Sequence, residues 1–197
     1  MTLFELRQLV RLRLRDNKQP YLISDDEINA NLNDAQREAC VRALLIEDDT
    51  NITINIDPDN THYQIDPRII DVIGISIGSD PATEYTNGWT LTENYLILDT
   101  APSTDDVLTL HCYLLPSNDM VDDEDEPEIR PIYHVQMTDW AISLCYLIPD
   151  ADMFNKASSE LYDARFTRSF GERPSAALTM RNRRSKTLRS VANNCYI

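Results

Sequence analysis

Glycine is scarce: Gly74, Gly78, Gly88 and Gly171 are the only four in 197 residues. No phosphate-cradling loop of the P-loop or dinucleotide-binding kind can be built from them. Histidine is scarcer, and His62, His111 and His134 stand too far apart for an HExxH-type metal motif. The four cysteines, Cys40, Cys112, Cys145 and Cys195, show no CxxC spacing, so neither a zinc knuckle nor a redox pair is indicated. They read as buried or incidental thiols in a reducing compartment. No GxSxG serine elbow occurs. No stretch approaches 18 consecutive apolar residues, so no transmembrane helix and no membrane partner are expected. The opening MTLFELRQLVRLRLRD mixes Glu5 and four arginines among its leucines, which does not read as a signal peptide. Without a secretory signal the Asn51-Ile52-Thr53 sequon is discounted.

The acidic segments fail the same tests. Asp57-Pro58-Asp59-Asn60-Thr61 begins like a calcium loop, but its sixth position is His62 rather than Gly and its twelfth is Arg68 rather than Glu. The run Asp122-Asp123-Glu124-Asp125-Glu126 reads as a solvated linker, because tuning carboxylates for acid–base work needs burial. Asp139, amid apolar neighbours, is the one carboxylate open to burial, and a polar-facing position or a hydrogen-bonded structural acid accounts for it. No catalytic residue, no cofactor site and no metal site is assigned, and an enzyme is the weakest reading.

Charge is plentiful and uneven. The net charge is −15. Residues 1–169 hold 12 Lys/Arg against 32 Asp/Glu, or −20, while residues 170–197 hold 6 against 1, or +5. Such a body repels nucleic acid, and such a tail seeks an acidic partner.

Thr2 and Glu5 form a capping-box pattern before Leu3, Leu6, Val10 and Leu14, which predicts a helix over about 3–16. Arg7, Arg11, Arg15 and Lys18 are spaced to share one of its faces. Ser24 and Glu27 start a second helix, about 25–47, with Ile28, Leu32, Ala35, Ala39, Ala43 and Ile46 as its stripe. From Asn51 the period changes to two. Six short strands are expected between about 51 and 115: Asn51–Ile56 pairing with His62–Ile65, then 69–77, a hairpin of Trp89–Thr92 with Tyr95–Leu98, and Val107–Leu114. Helical spacing returns from Pro131 to Ile148, with Met137, Trp140, Ala141, Leu144, Leu147 and Ile148 on the apolar side. A last helix over roughly 152–170 carries Ala157, Leu161 and Ala164 beside Tyr162, Phe166 and Phe170, and ends at Gly171.

The class is therefore α+β: a helical bundle with an inserted small antiparallel sheet or sandwich and an extended C-terminal arm. Its parts are a helical hairpin (1–50), a β-rich insert (51–116), an acidic linker (117–130), a helix pair packing on the hairpin (131–171) and a basic arm (172–197). The arm carries Arg173, Arg181, Arg183, Arg184, Lys186 and Arg189 and ends on Cys195, Tyr196 and Ile197. It can bind nucleic acid through phosphate contacts, remain a solvated tail, or dock on a protein. The apolar end favours docking, and about 25 extended residues reach roughly 80 Å.

This order of elements resembles the head-to-tail adaptor, or connector, proteins of the necks of tailed bacteriophages. The residues that carry the resemblance are Leu110-His111-Cys112-Tyr113-Leu114-Leu115-Pro116, Asp125-Glu126-Pro127-Glu128-Ile129, Tyr133-His134, Trp140-Ala141, Pro149-Asp150-Ala151-Asp152 and Phe166 through Phe170-Gly171 before Arg173-Pro174-Ser175. Ser24-Asp25-Asp26-Glu27-Ile28 and Leu32-Asn33-Asp34-Ala35-Gln36-Arg37-Glu38 add to it. The likeness spans about residues 1–175 and implies a structural virion protein assembled in the host cytoplasm. It implies a ring, commonly of twelve copies, between a portal protein and a tail or nozzle protein, with genomic DNA passing through the lumen without specific binding. The C-terminal segment, with Arg173, Arg181, Arg183, Arg184, Lys186, Arg189, Tyr196 and Ile197, is then the portal-binding arm. Other neck or tail roles (stopper, tail terminator, tail-tube component) stay open, as does a small nucleic-acid-binding regulator.

Overall fold

A computed structural model describes residues 1–77, 88–101, 107–149, 153–177 and 179. Helices and small antiparallel sheets are both present, so the class is α+β as expected. The described chain divides into two compact units, one of Met1–Ile46 with Pro116–Arg173 and one built on Glu47–Leu115.

In the first unit, α1 (Leu3–Leu14) starts at Thr2 with both halves of its capping box formed. It stops earlier than its periodicity suggests, because Arg15 turns left-handed at φ 62° and its N–H bonds back to Arg11 O and Leu12 O. The expected basic face is therefore not formed. Arg15 and Lys18 lie past the helix end, and Arg7 and Arg11 turn inward and are buried. α2 (Asp25–Ala43) begins on Ser24, whose hydroxyl accepts the Glu27 N–H, with Asp25, Asp26 and Glu27 in the first turn to favour the helix dipole. It is also shorter than expected: Leu44 sits at φ 53°, and the chain passes directly into β1 (Ile46–Asp48). A 3₁₀ turn at Pro131–Tyr133 leads into α3 (His134–Cys145), and α4 is Lys156–Phe170. α3 packs against α1, α2 and α4, with Met137, Ala141, Ile142 and Cys145 buried along it. α4 buries only Ser159, Phe166 and Phe170, and leaves Leu161 facing solvent.

The second unit holds β2 (Thr53–Asn55), β3 (His62–Gln64), β4 (Ile69–Ile77), β5 (Trp89–Leu91), β6 (Tyr95–Leu98) and β7 (Val107–Leu114), with β1 completing its larger sheet. The expected pairing of Asn51–Ile56 with His62–Ile65 does not occur. Instead β2 pairs antiparallel with β7, Ile54 opposite Leu108, and β3 pairs with β6, Tyr63 opposite Leu96. The cause is local. The Tyr63 hydroxyl lies within hydrogen-bond distance of both the Asp57 and Asn60 carbonyls, which folds 57–60 into its own turn and carries β3 to the other sheet. β4 runs along one edge of β7 from Leu114 to Leu108, so β2 and β1 share the opposite edge. Leu108, Leu110, Cys112 and Leu114 alternate inward from β7, as period two requires. The hairpin of β5 and β6 forms as expected. Gly88 beside it is needed for close approach: a Cβ there would lie 1.9 Å from Asp99 Oδ2.

Candidate interaction surface

The end of α4 is held by a buried arginine. Arg42, near the end of α2, has a side chain only 6% exposed. Its guanidinium lies between two rings, 4.8 Å from the Trp140 centroid and 5.0 Å from that of Phe166. It donates to Glu38 Oε1 (2.7 Å), Thr167 Oγ1 (2.9 Å) and the Gly171 carbonyl (3.2 Å). Phe166 and Phe170 lie 4.6 Å apart and extend the ring cluster to Tyr133. Gly171 closes the helix at φ 86°, a conformation L side chains avoid, and its N–H bonds to Thr167 O. Two residues on, the Arg173 guanidinium lies 3.4 Å from Glu38 Oε2. The buried Glu38 carboxylate therefore faces two arginines, and the chain beyond α4 leaves from a fixed point. Past it, the Thr179 N–H donates to Ser175 O. Of the arm residues named from the sequence, Arg173 is described. Arg181, Arg183, Arg184, Lys186, Arg189, Tyr196 and Ile197 lie outside the described residues, as does Cys195.

The acidic segment has more structure than its composition conveys. Asp125 accepts from the Val121 and Asp122 N–H groups, which hold its carboxyl below the usual carboxylate range. The Asp125 and Asp123 carbonyls accept from Leu3 and Phe4, two of the donors that the first turn of α1 cannot pair internally. Asp123 pairs with Arg7 at 2.7 Å. From α2, the Asn33 amide makes two 2.9 Å bonds to the Met120 backbone, and Gln36 accepts the Glu128 N–H. Asn33 and Gln36 are buried, and nothing in their local sequence announces it.

At the other end of α1, Arg11 is 1% exposed and binds Asp16 Oδ2, Ile23 O and Asp25 Oδ1 under the Tyr21 ring. Asp16 in turn accepts from Leu22 and Ile23, so the turn between α1 and α2 is built on one buried ion pair. Asp139 is buried, as are Asp16 and Glu38, and it is paired with Arg13 at 2.7 Å. Its carboxyl is raised, because burial outweighs the Arg13 and Arg165 charges.

Among the described residues the cysteine side chains are buried and the histidine rings are hydrogen-bonded. Burial pushes the Cys40 and Cys112 thiols up to about 12 and Cys145 to about 11, well away from thiolate chemistry. His134 is fully buried, and its Nε2–H donates to Ile129 O. His111 meets Glu47 at 2.7 Å on the sheet. Among the described residues no group of three His, Cys, Asp or Glu side chains is placed to hold a metal ion. No helix of the described residues is long and apolar enough to cross a membrane.

Buried arginines thus orient the turn between α1 and α2, the acidic segment and the chain exit after α4. A protein-family model described as SU10 adaptor protein matches residues 1–191, and the chain belongs to that family, a family of phage head-to-tail adaptors. It is thus a structural phage adaptor protein of the virion that meets other head and tail proteins. No curated protein matches the chain.

Proposed function

We propose that the chain forms a twelve-membered ring between the portal protein and the tail or nozzle protein, and that this ring continues the DNA channel. The family match over residues 1–191 carries the reading. The charge of residues 1–169 supports it, because an acidic lumen repels duplex DNA, which carries one negative charge per roughly 1.7 Å of axis. Genomic DNA then passes without specific binding. Residues 172–197, with Arg173, Arg181, Arg183, Arg184, Lys186, Arg189, Tyr196 and Ile197, are the arm that docks on the portal. The fixed exit at Gly171 and Arg173 supports this role by setting where the arm leaves α4.

Mixing the full chain with its portal protein and counting subunits by electron microscopy tests the ring. The expected result is a closed twelvefold ring on the portal. A complex with no closed ring rejects it. A chain ending at residue 172 keeps its circular dichroism spectrum and loses portal binding; undiminished binding by that chain rejects the arm.

A further inference from the structure

The first unit carries two contrasting surfaces at opposite ends of α1, a helix of 12 residues and thus roughly 18 Å long. At its N-terminal end, the loop held by Asp125 presents Asp122 and Glu124 to solvent beside Val121, 74% exposed, and Phe4, 46% exposed. At its C-terminal end, Arg15 and the α4 residue Arg165 stand exposed around a stacked tyrosine pair. The Tyr146 and Tyr162 centroids lie 5.9 Å apart, and Arg165 lies 4.9 Å from the Tyr162 ring. Arg15 is the C-cap residue of α1 and adds a second positive charge at this end. Leu147 and Leu161 flank them, each about half exposed. Among the described residues neither Arg15 nor Arg165 closes an ion pair.

Among the described residues each end thus has exposed apolar side chains beside exposed side-chain charge of one sign, and Tyr with Arg is the composition that dominates binding energy at protein contacts. Two acidic ends repel, as do two basic ends. An acidic end against an Arg–Tyr end attracts and covers both apolar patches. The two ends belong to one chain, so the occupant that fits each of them is a second copy. A contact between two different surfaces of identical chains repeats head to tail, and it closes into a ring when the rotation allows.

We infer that the Asp122–Glu124 end of one copy docks on the Arg15–Arg165–Tyr162 end of the next. The proposal rests on the ring reading only in taking a second copy as the occupant.

The test uses full-length Val121→Cys and Leu161→Cys chains, which keep the charges of both ends, separately and mixed, treated with a short bis-maleimide, which traps even weak encounters. Wild-type chain reports the background from its own thiols. The expected product of the mixture is the Val121→Cys/Leu161→Cys heterodimer, about tenfold above either homodimer and suppressed by salt. Homodimers in equal yield, or no cross-linked product above the wild-type background, overturns the proposal. The ring reading fails differently: heterodimer cross-links with no closed ring on the portal reject the ring and leave this contact standing.

Discussion

Replacing Arg42 with Met tests whether one buried ion pair holds the end of α4. Met preserves much of the stem volume and keeps contact with the Trp140 and Phe166 rings. It removes the 2.7 Å partner of Glu38, a carboxylate 7% exposed, and the donors to Thr167 and Gly171. Leaving one member of a buried pair uncompensated costs about 3–5 kcal/mol. Arg173 still faces Glu38 at 3.4 Å but is 64% exposed, so solvent screens most of its help. The expected loss is about 3 kcal/mol. Adding Glu38→Gln removes the stranded charge and recovers about 2 kcal/mol, because a neutral pair of similar volume is tolerated where half a salt bridge is not. Urea unfolding read by Trp140 fluorescence measures both, in a Trp89→Phe background that silences the only other tryptophan. With a slope of about 2 kcal/mol per molar urea, the single variant moves the midpoint down by about 1.5 M. A shift under about 0.5 M, or a double variant no more stable than the single one, refutes the assignment.

Arg11→Met strands the Asp16 carboxylate, whose side chain is 2% exposed, and lowers the melting temperature by about 10 °C. Adding Asp16→Asn restores part of it, since the amide oxygen still accepts from the Leu22 or Ile23 N–H; a drop below about 3 °C for the single variant rejects the hub. His134 titrates below its usual 6.5, first because burial disfavours the cation. Below pH 6.5 the unfolded chain therefore takes up a proton before the folded one, and stability falls as pH drops toward the folded value. Asp139, raised above 3.8, acts with the opposite sign in the more acidic window just above 3.8, where the folded chain binds more protons and stability falls as pH rises. Urea midpoints from about pH 7 to about pH 5 should decline in the wild type and flatten in His134→Gln; equal slopes exclude His134.

Much of the skeleton was legible because its signals act over a few residues. The Thr2–Glu5 box, the Ser24 cap, Pro131 and Gly171 each set a helix end through bonds three or four positions away. The alternation of Leu108, Leu110, Cys112 and Leu114 marked β7 for the same reason, since period two is a property of one strand. Gly171 as the end of α4, with Arg173 just past it, was likewise visible.

Partners were not legible. The expected β2–β3 hairpin was the nearest pairing in sequence, yet β2 joined β7, Thr53 opposite Thr109, because a turn pinned by Tyr63 separated its neighbour. The first two helices end before their periodicity does, because Arg15 and Leu44 take left-handed turns that neither residue type advertises. The deepest difference concerns charge. Arginine in an amphipathic helix is expected to face water, and Arg7, Arg11 and Arg42 do not. Each is buried because carboxylates, carbonyls or rings reach it, and one of these for Arg7 and several for Arg42 come from more than 90 residues away. Local spacing determines where a helix begins and which residues can share a face. Whether a charge may leave water depends on partners that only the folded chain assembles, since burial of an ion is tolerable only once its counter-charge and hydrogen bonds are already in place.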